Sequence, residues 1–228
     1  MIKKFINRKS LFYKPYLYFR IFWLEKFFVK KNSYSQCGED YFITKFFTKQ
    51  KKGTYLDIGA FNPIKYSNTY LLYKIGWTGI NIDLNQTSID LFNIVRPKDI
   101  NICAAISDKE ENVKVNIENI FSPLNTISVN RSKKLNLKII EKNSYYIKSK
   151  KINKIVKNKF DFLNIDIEGF DFKVLKSMKL NFYKPKLICI EILNSKKFHS
   201  LKKYLNKQNY VYMRKMGPSY FFRLKGKL

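Results

Sequence analysis

The acids of this sequence fall where chemistry could use them. The chain holds 45 Lys and Arg but only 17 Asp and Glu. Five of those acids close apolar runs: Asp57 in YLDI, Asp83 after GINI, Asp108 after AAIS, Asp166 after FLNI and Glu191 after LICI. Short apolar runs read as buried strands. In an open α/β sheet, ligands bind beyond the carboxyl ends of the strands. Solvated acids scattered at random would not recur at successive strand ends. Gly59 sits two residues after Asp57 and lets the backbone approach a ligand. Asp83 follows about 25 residues on, where a carboxylate can accept the hydroxyls of a ribose. Asp166 and Glu168 are two apart, so both can face one side of a strand end. Either suits a general base that takes the proton of an acceptor hydroxyl. Glu191, on the neighbouring strand, is placed to orient that acceptor. Glu168 equally suits the start of the helix near Gly169. Asp166, Glu168 and Glu191 are also oxygen donors of the kind Mg²⁺ takes, but no metal is assigned.

Several other chemistries are disfavoured. The loop DIGAFNPIKYS lacks G-x-G-x-x-G, and the chain has no G-x-x-x-x-G-K-[ST]. Pro63 removes a backbone donor, so a pyrophosphate cradle of several N–H groups is not expected. A nucleoside cofactor without a pyrophosphate fits better, and S-adenosylmethionine is one. His199 is the single histidine, which argues against a Ser-His-Asp triad or a multi-His metal site; it reads as a surface residue of a Lys-rich helix. Cys37, Cys103 and Cys189 are far apart and odd in number. They form no disulfide framework or zinc pattern and read as reduced thiols, with Cys103 and Cys189 buried in strands. NPIKY at 62–66 superficially resembles the Asn-Pro-Pro-Tyr signature of amino-group methyltransferases. It lacks the second Pro and follows the first strand rather than the fourth, which favours transfer to oxygen over nitrogen.

The elements that must position these residues alternate. Strands are expected at 54–58, 79–83, 99–107, within 161–170 ending at Asp166, and 186–192. Helices are expected at 33–47, 67–75, 85–95, 171–178 and near 195–207. Ser67 or Asn68 is placed to cap the second of these, and Gly76 to end it. NVKVNIE, 112–118, alternates with period two and reads as a half-exposed strand. VYMRKM, a Gly217-Pro218-Ser219 turn and YFFRL form a closing hairpin. Strand–helix alternation implies a Rossmann-like, doubly wound, mostly parallel α/β sheet with a C-terminal antiparallel hairpin. The Lys- and Asn-rich stretch 130–158 takes no assignment.

Residues 1–32 read as an arm and 33–228 as the catalytic domain. The arm interleaves aromatics with Lys and Arg, which suits an anionic membrane interface; a helix packed on the domain or on a partner subunit fits as well. No signal peptide is visible, and YLYFRIFWLEKFFV at 16–29 carries too many charges to span a bilayer. The expected location is cytoplasmic, with peripheral membrane contact. The formal net charge of +28 has two readings: a polyanionic partner, or the lysine-rich composition of a biased genome.

The ordered pieces SYSQCGED (33–40), YLDIGAFNP with SNTYLLYKIGWTGINID (55–83), AAISD (104–108), LNTIS (124–128), FLNIDIEGFDFKVLK (162–176) and KLICIEI (186–192) resemble the FkbM-type S-adenosylmethionine-dependent methyltransferases. The resemblance implies a class I methyltransferase fold and S-adenosylmethionine as cofactor. It implies that Asp57 and Gly59 line the methionine end, Asp83 holds the ribose, Ser107 and Asp108 lie near the adenine, and Gln36 and Glu39 cap the pocket. Ser67 and Asn68 count with the cofactor-binding residues. Many family members have Asn and Gly after Asp-Ile-Gly-Ala, where this chain has Phe61, Asn62 and Pro63. The expected acceptor is a hydroxyl of a small molecule or glycan, foremost a sugar in a surface glycan or glycolipid. The alternatives are an RNA methyltransferase, although no RNA-binding module is recognisable, and a non-catalytic binding protein on the same fold.

Overall fold

The computed structural model describes residues 8, 10–24, 33–115, 145–167, 169–192 and 194–226. Within them, seven strands form one sheet: β1 (Thr54–Ile58), β2 (Thr78–Asp83), β3 (Ile100–Cys103), β6 (Phe162–Ile165), β7 (Leu187–Glu191), β8 (Tyr210–Met216) and β9 (Ser219–Leu224). Their spatial order is β3-β2-β1-β6-β7-β9-β8. The first five are mutually parallel. β9 and β8 close the sheet antiparallel, as the hairpin in the sequence requires. β4 (Asn112–Val115) and β5 (Tyr145–Lys148) form a separate antiparallel pair. LNTIS and most of 130–158 lie outside the described residues.

Both faces of the sheet are covered, which is why its strands read as continuous apolar runs. On one face Leu56, Ile58, Leu163, Ile165, Ile188 and Ile190 form the larger core. It is closed by α5 (Ile152–Ile155), α6 (Asp171–Ser177), α7 (Leu180–Tyr183) and α8 (Phe198–Lys207). On the other face Tyr55, Phe162, Leu187 and Phe221 pack under α2 (Glu39–Phe46) and α3 (Tyr70–Lys74) through Ile43, Phe47 and Leu72. α4 (Gln86–Val95) lies over β2 and β3, its first turn capped by Asn85, which accepts from the Thr87 N–H at 3.0 Å.

Three sequence expectations need correction. The helix expected from 67 begins at Tyr70, because Ser67 Oγ accepts from the N–H of Thr69 and Tyr70 and holds the chain in a turn. The helix expected over 33–47 begins at Glu39. Asp40, buried in its first turn, accepts from Ser33 Oγ, Tyr34 N–H and Ser35 Oγ and fixes residues 33–35 as a loop. The strand expected over 99–107 ends at Cys103. Beyond it Ile106 bridges to Lys150, so Asp108 does not close a sheet strand.

α1 (Tyr13–Phe19) runs on as a π-helical turn, Arg20–Leu24. Tyr13, Leu17 and Ile21 are buried against Leu91 of α4, and Tyr13 Oη donates to Asp90 at 2.8 Å. Among the described residues, no helix is long and apolar enough to cross a membrane.

Candidate functional site

The strand order reverses at β1. From it the chain goes out to β2 and β3 on one side and later to β6 and β7 on the other. A crevice opens at such a switch point, beyond the carboxyl ends of the strands. The loop from Gly59 to Thr69 lies there, and its conformation is tightly specified. Gly59 has φ of +81°. A Cβ at that position would lie 1.8 Å from the Asp166 carbonyl oxygen. The close approach that demands glycine is therefore to the end of β6.

The loop amides are already engaged. Gly59 and Ala60 donate to the Ile82 carbonyl at 2.8 and 3.1 Å, and Asn62 donates to Ala60 at 2.7 Å. Phe61 donates to Asp83 Oδ2 at 2.9 Å. Ile64 and Lys65 donate to Asn62 Oδ1, and proline at 63 has no N–H. No row of free donors is left from 59 to 65 for a pyrophosphate. Phe61 holds φ of +53°, a conformation that Asn or Gly adopts more cheaply.

Asp83 closes β2 and is half-buried. Its carboxylate accepts from Phe61 N–H at 2.9 Å and from Asn85 N–H at 2.7 Å. Burial pushes its pKa up to about 6, against the pull of those two amides. Two amides occupy about half of a carboxylate's lone-pair sites. What is left suits a pair of hydroxyls. The same burial, helped by Asp83, raises the Cys103 thiol to about 11.

Asp57 is buried, and both its oxygens accept from the chain itself: from Thr69 Oγ1 at 2.7 Å and from Asn164 Nδ2 at 2.8 Å. Burial raises its pKa, and those two donors and the Arg96 charge oppose the rise. Asn68 donates to Asn164 Oδ1 at 3.0 Å. Ser67 is tied to Arg96. The Arg96 guanidinium, fully buried, donates to Ser67 Oγ at 2.7 Å, to Thr69 Oγ1 at 2.8 Å and, through two nitrogens, to the Pro63 carbonyl. It also lies 4.9 Å from the Phe92 ring centre. One cation thus pins three points of the loop and reaches Asp57 through Thr69.

The remaining expected residues divide. Asp166 follows β6 directly, its N–H donating to Ile58 at 2.9 Å. Glu191 ends β7, in register with Ser219. Glu39 is buried and accepts from Cys37 N–H at 2.6 Å and from Ser219 Oγ at 3.4 Å. Burial first, and then the charges of Glu39, Asp166 and Asp57, hold the Cys189 thiol protonated. Gln36 is exposed in the bend before α2. Ser107 is buried and donates to Asp108 at 3.2 Å, away from the β3 ladder. Glu168 lies outside the described residues. Among those described, no three His, Cys, Asp or Glu side chains gather as a metal set.

Two features escaped sequence reasoning. One is Arg96, which sits in a polar RPKD turn with no pattern to mark it. The other is a row of polar side chains crossing the sheet in register: Asn101, Asn81, Asp57, Asn164 and Cys189. Asn81 donates to Asn101 at 2.8 Å and to Asp99 at 2.9 Å. The signal was present as a repeated polar residue before isoleucine: LDI, INI, INI, LNI and ICI. Parallel strands in register put these residues on one face.

The sheet order, its reversal at β1 and its closing antiparallel hairpin are those of a class I methyltransferase fold. The match of residues 57–212 to the methyltransferase FkbM domain covers more than half of the chain, which belongs to that family. Among solved structures, a methyltransferase FkbM from Methylobacillus flagellatus is similar at 14% identity and a TM-score of 0.50, over 76% of this chain and 44% of that one. This chain thus spans less than half the length of that relative. A candidate RNA methyltransferase from Pyrococcus horikoshii is similar at 9% identity and a TM-score of 0.46, over 82% and 83% of the two chains. At 14% identity the first likeness is one of fold. No curated protein sequence matches the chain at a significant level.

Proposed function

We propose that the chain is an S-adenosylmethionine-dependent methyltransferase that transfers a methyl group to a hydroxyl oxygen. The observation that carries this reading is Asp83. Its carboxylate ends β2 at the switch point, is fixed by two backbone amides and keeps acceptor sites for a ribose diol. The adjacent loop has spent its amides, which fits a cofactor without a pyrophosphate. The residues present fit the group: Asp83 for the ribose, the Gly59 turn and Asp57 for the methionine end, and Ser107 and Asp108 for the base. Gln36, Glu39, Ser67 and Asn68 frame the same crevice, the last two by holding the loop. Once bound, S-adenosylmethionine supplies a sulfonium methyl that is already electrophilic.

The protein's remaining task is positional. It must hold an acceptor oxygen in line with that methyl group and receive the hydroxyl proton. Asp166 or Glu168 would receive the proton, and Glu191 would orient the acceptor. A sugar hydroxyl in a surface glycan or glycolipid is the acceptor that the family resemblance favours. Calorimetric titration with S-adenosylmethionine and S-adenosylhomocysteine tests the cofactor. Binding of both in the micromolar range, and none of ATP or NAD, is expected. A folded protein that binds neither thioether nor sulfonium would overturn the reading.

A further inference from the structure

The N-terminal helix presents two faces. Tyr13, Leu17 and Ile21 are spent on α4, where Ile94 and Val95 surround them together with Ile64 of the site loop. On the side turned away from α4, Phe12 is 72% exposed, Phe19 49% and Trp23 66%. At helical spacing these three fall along one line. Tyr18 and Phe22 stack beside it, their ring centres 6.1 Å apart. Single exposed apolar residues need no explanation, but such a concentration on a short element does.

The chemistry of this face selects its occupant. Trp, Tyr and Phe beside cations are the side chains that settle at headgroup depth. Lys14 is exposed on the same helix. Residues 1–32 carry nine Lys and Arg and one acid, Glu25. A second copy of this chain would set a charge of +28 against another, whereas an anionic leaflet attracts it. Residues 13–24 span only about 18 Å of helix, too short to cross a bilayer and suited to lying in its plane. We propose that this aromatic face docks the protein on an anionic lipid bilayer. Through Ile64 the docked helix would hold the site loop beside that surface.

The two tryptophans provide the readout. Trp77 is 1% exposed, so quenching by brominated lipid reports on Trp23. The full chain is mixed with phosphatidylcholine vesicles with and without phosphatidylglycerol. Sedimentation with the anionic vesicles and quenching of emission are expected. The variant F19S/F22S/W23S changes only exposed side chains and should keep its circular dichroism. Its partitioning should fall at least about tenfold. Three results would overturn the proposal. One is no sedimentation of the wild type. Another is equal sedimentation of the variant, which would mean adsorption through charge elsewhere. The third is a wild-type dimer or an oligonucleotide complex that the variant loses while vesicle binding persists, which would assign the face to protein or nucleic acid.

Discussion

Asp83→Asn replaces one carboxylate oxygen with an NH₂ group at constant volume. In the wild type the two oxygens receive Phe61 N–H at 2.9 Å and Asn85 N–H at 2.7 Å. About two of four lone-pair sites remain for ribose hydroxyls. The amide keeps a single oxygen, so one of the two backbone N–H groups faces an NH₂ and loses its acceptor, and the charge is gone from every remaining contact. Hydrogen bonds to a charged group contribute roughly 1.5–3 kcal/mol each. Cofactor affinity should fall by about 3 kcal/mol, or about a hundredfold in Kd. Stability should move less, because burial already disfavours this carboxylate, with its pKa pushed up to about 6. Removing the charge relieves that cost and offsets part of the lost contact. Titration with S-adenosylhomocysteine reads the first effect and urea unfolding the second. A folded variant whose Kd lies within about threefold of wild type would refute the ribose assignment.

The same carboxylate predicts a pH dependence. Its folded value, about 6, lies above the ordinary 3.8. Between those values the folded state holds the extra proton, so its contribution to stability declines as pH rises through that window. Cofactor affinity should run the other way. It needs the ionised form and should drop about tenfold per unit below about pH 6, a dependence that Asp83→Asn abolishes. Gly59→Ala sets a Cβ 1.8 Å from a carbonyl oxygen at φ of +81° and should cost about 4 kcal/mol or more; a near-normal urea midpoint would contradict that packing. Arg96→Lys keeps the charge but loses the fork that serves Pro63, Ser67 and Thr69. It should cost about 2–4 kcal/mol and weaken cofactor binding, and unchanged values in both assays would show that the loop is pinned elsewhere. Glu168→Ala should spare cofactor affinity and lower turnover about 10²–10⁴-fold; full turnover would leave the proton to Asp166.

Four of the five parallel strands were legible because they carry buried residues on both faces. TYLDI, GINID, FLNI and LICIE therefore stand out as apolar runs between polar turns. Their ends were less legible where side chains compete with the backbone. Ser67 and Asp40 capture amides that a helix would otherwise use. β5 reads YYIK and α7 reads LNFY, each too short to carry a period. In the site, Asp83 could be found from its place at a strand end. Gly59 was found for a different reason from the one that fixes it. The flexible backbone was visible in the sequence, but its neighbour, Asp166, lies 107 residues away. Arg96 could not be found at all, since its partners at 63, 67 and 69 are joined to it only by the fold.

The large sheet ends at β8, whose outer backbone would offer open hydrogen-bonding groups to any passing strand. The register between β8 and β9 slips at Tyr212/Arg214, and Arg214 and Lys215 stand exposed next to the slip. A bulge with two cations makes a poor template for further pairing. Where copies of the chain crowd together, such a charged, irregular border disfavours edge-to-edge pairing. Smoothing the border by deleting Met213 would leave the fold a continuous edge on which neighbouring molecules could stack.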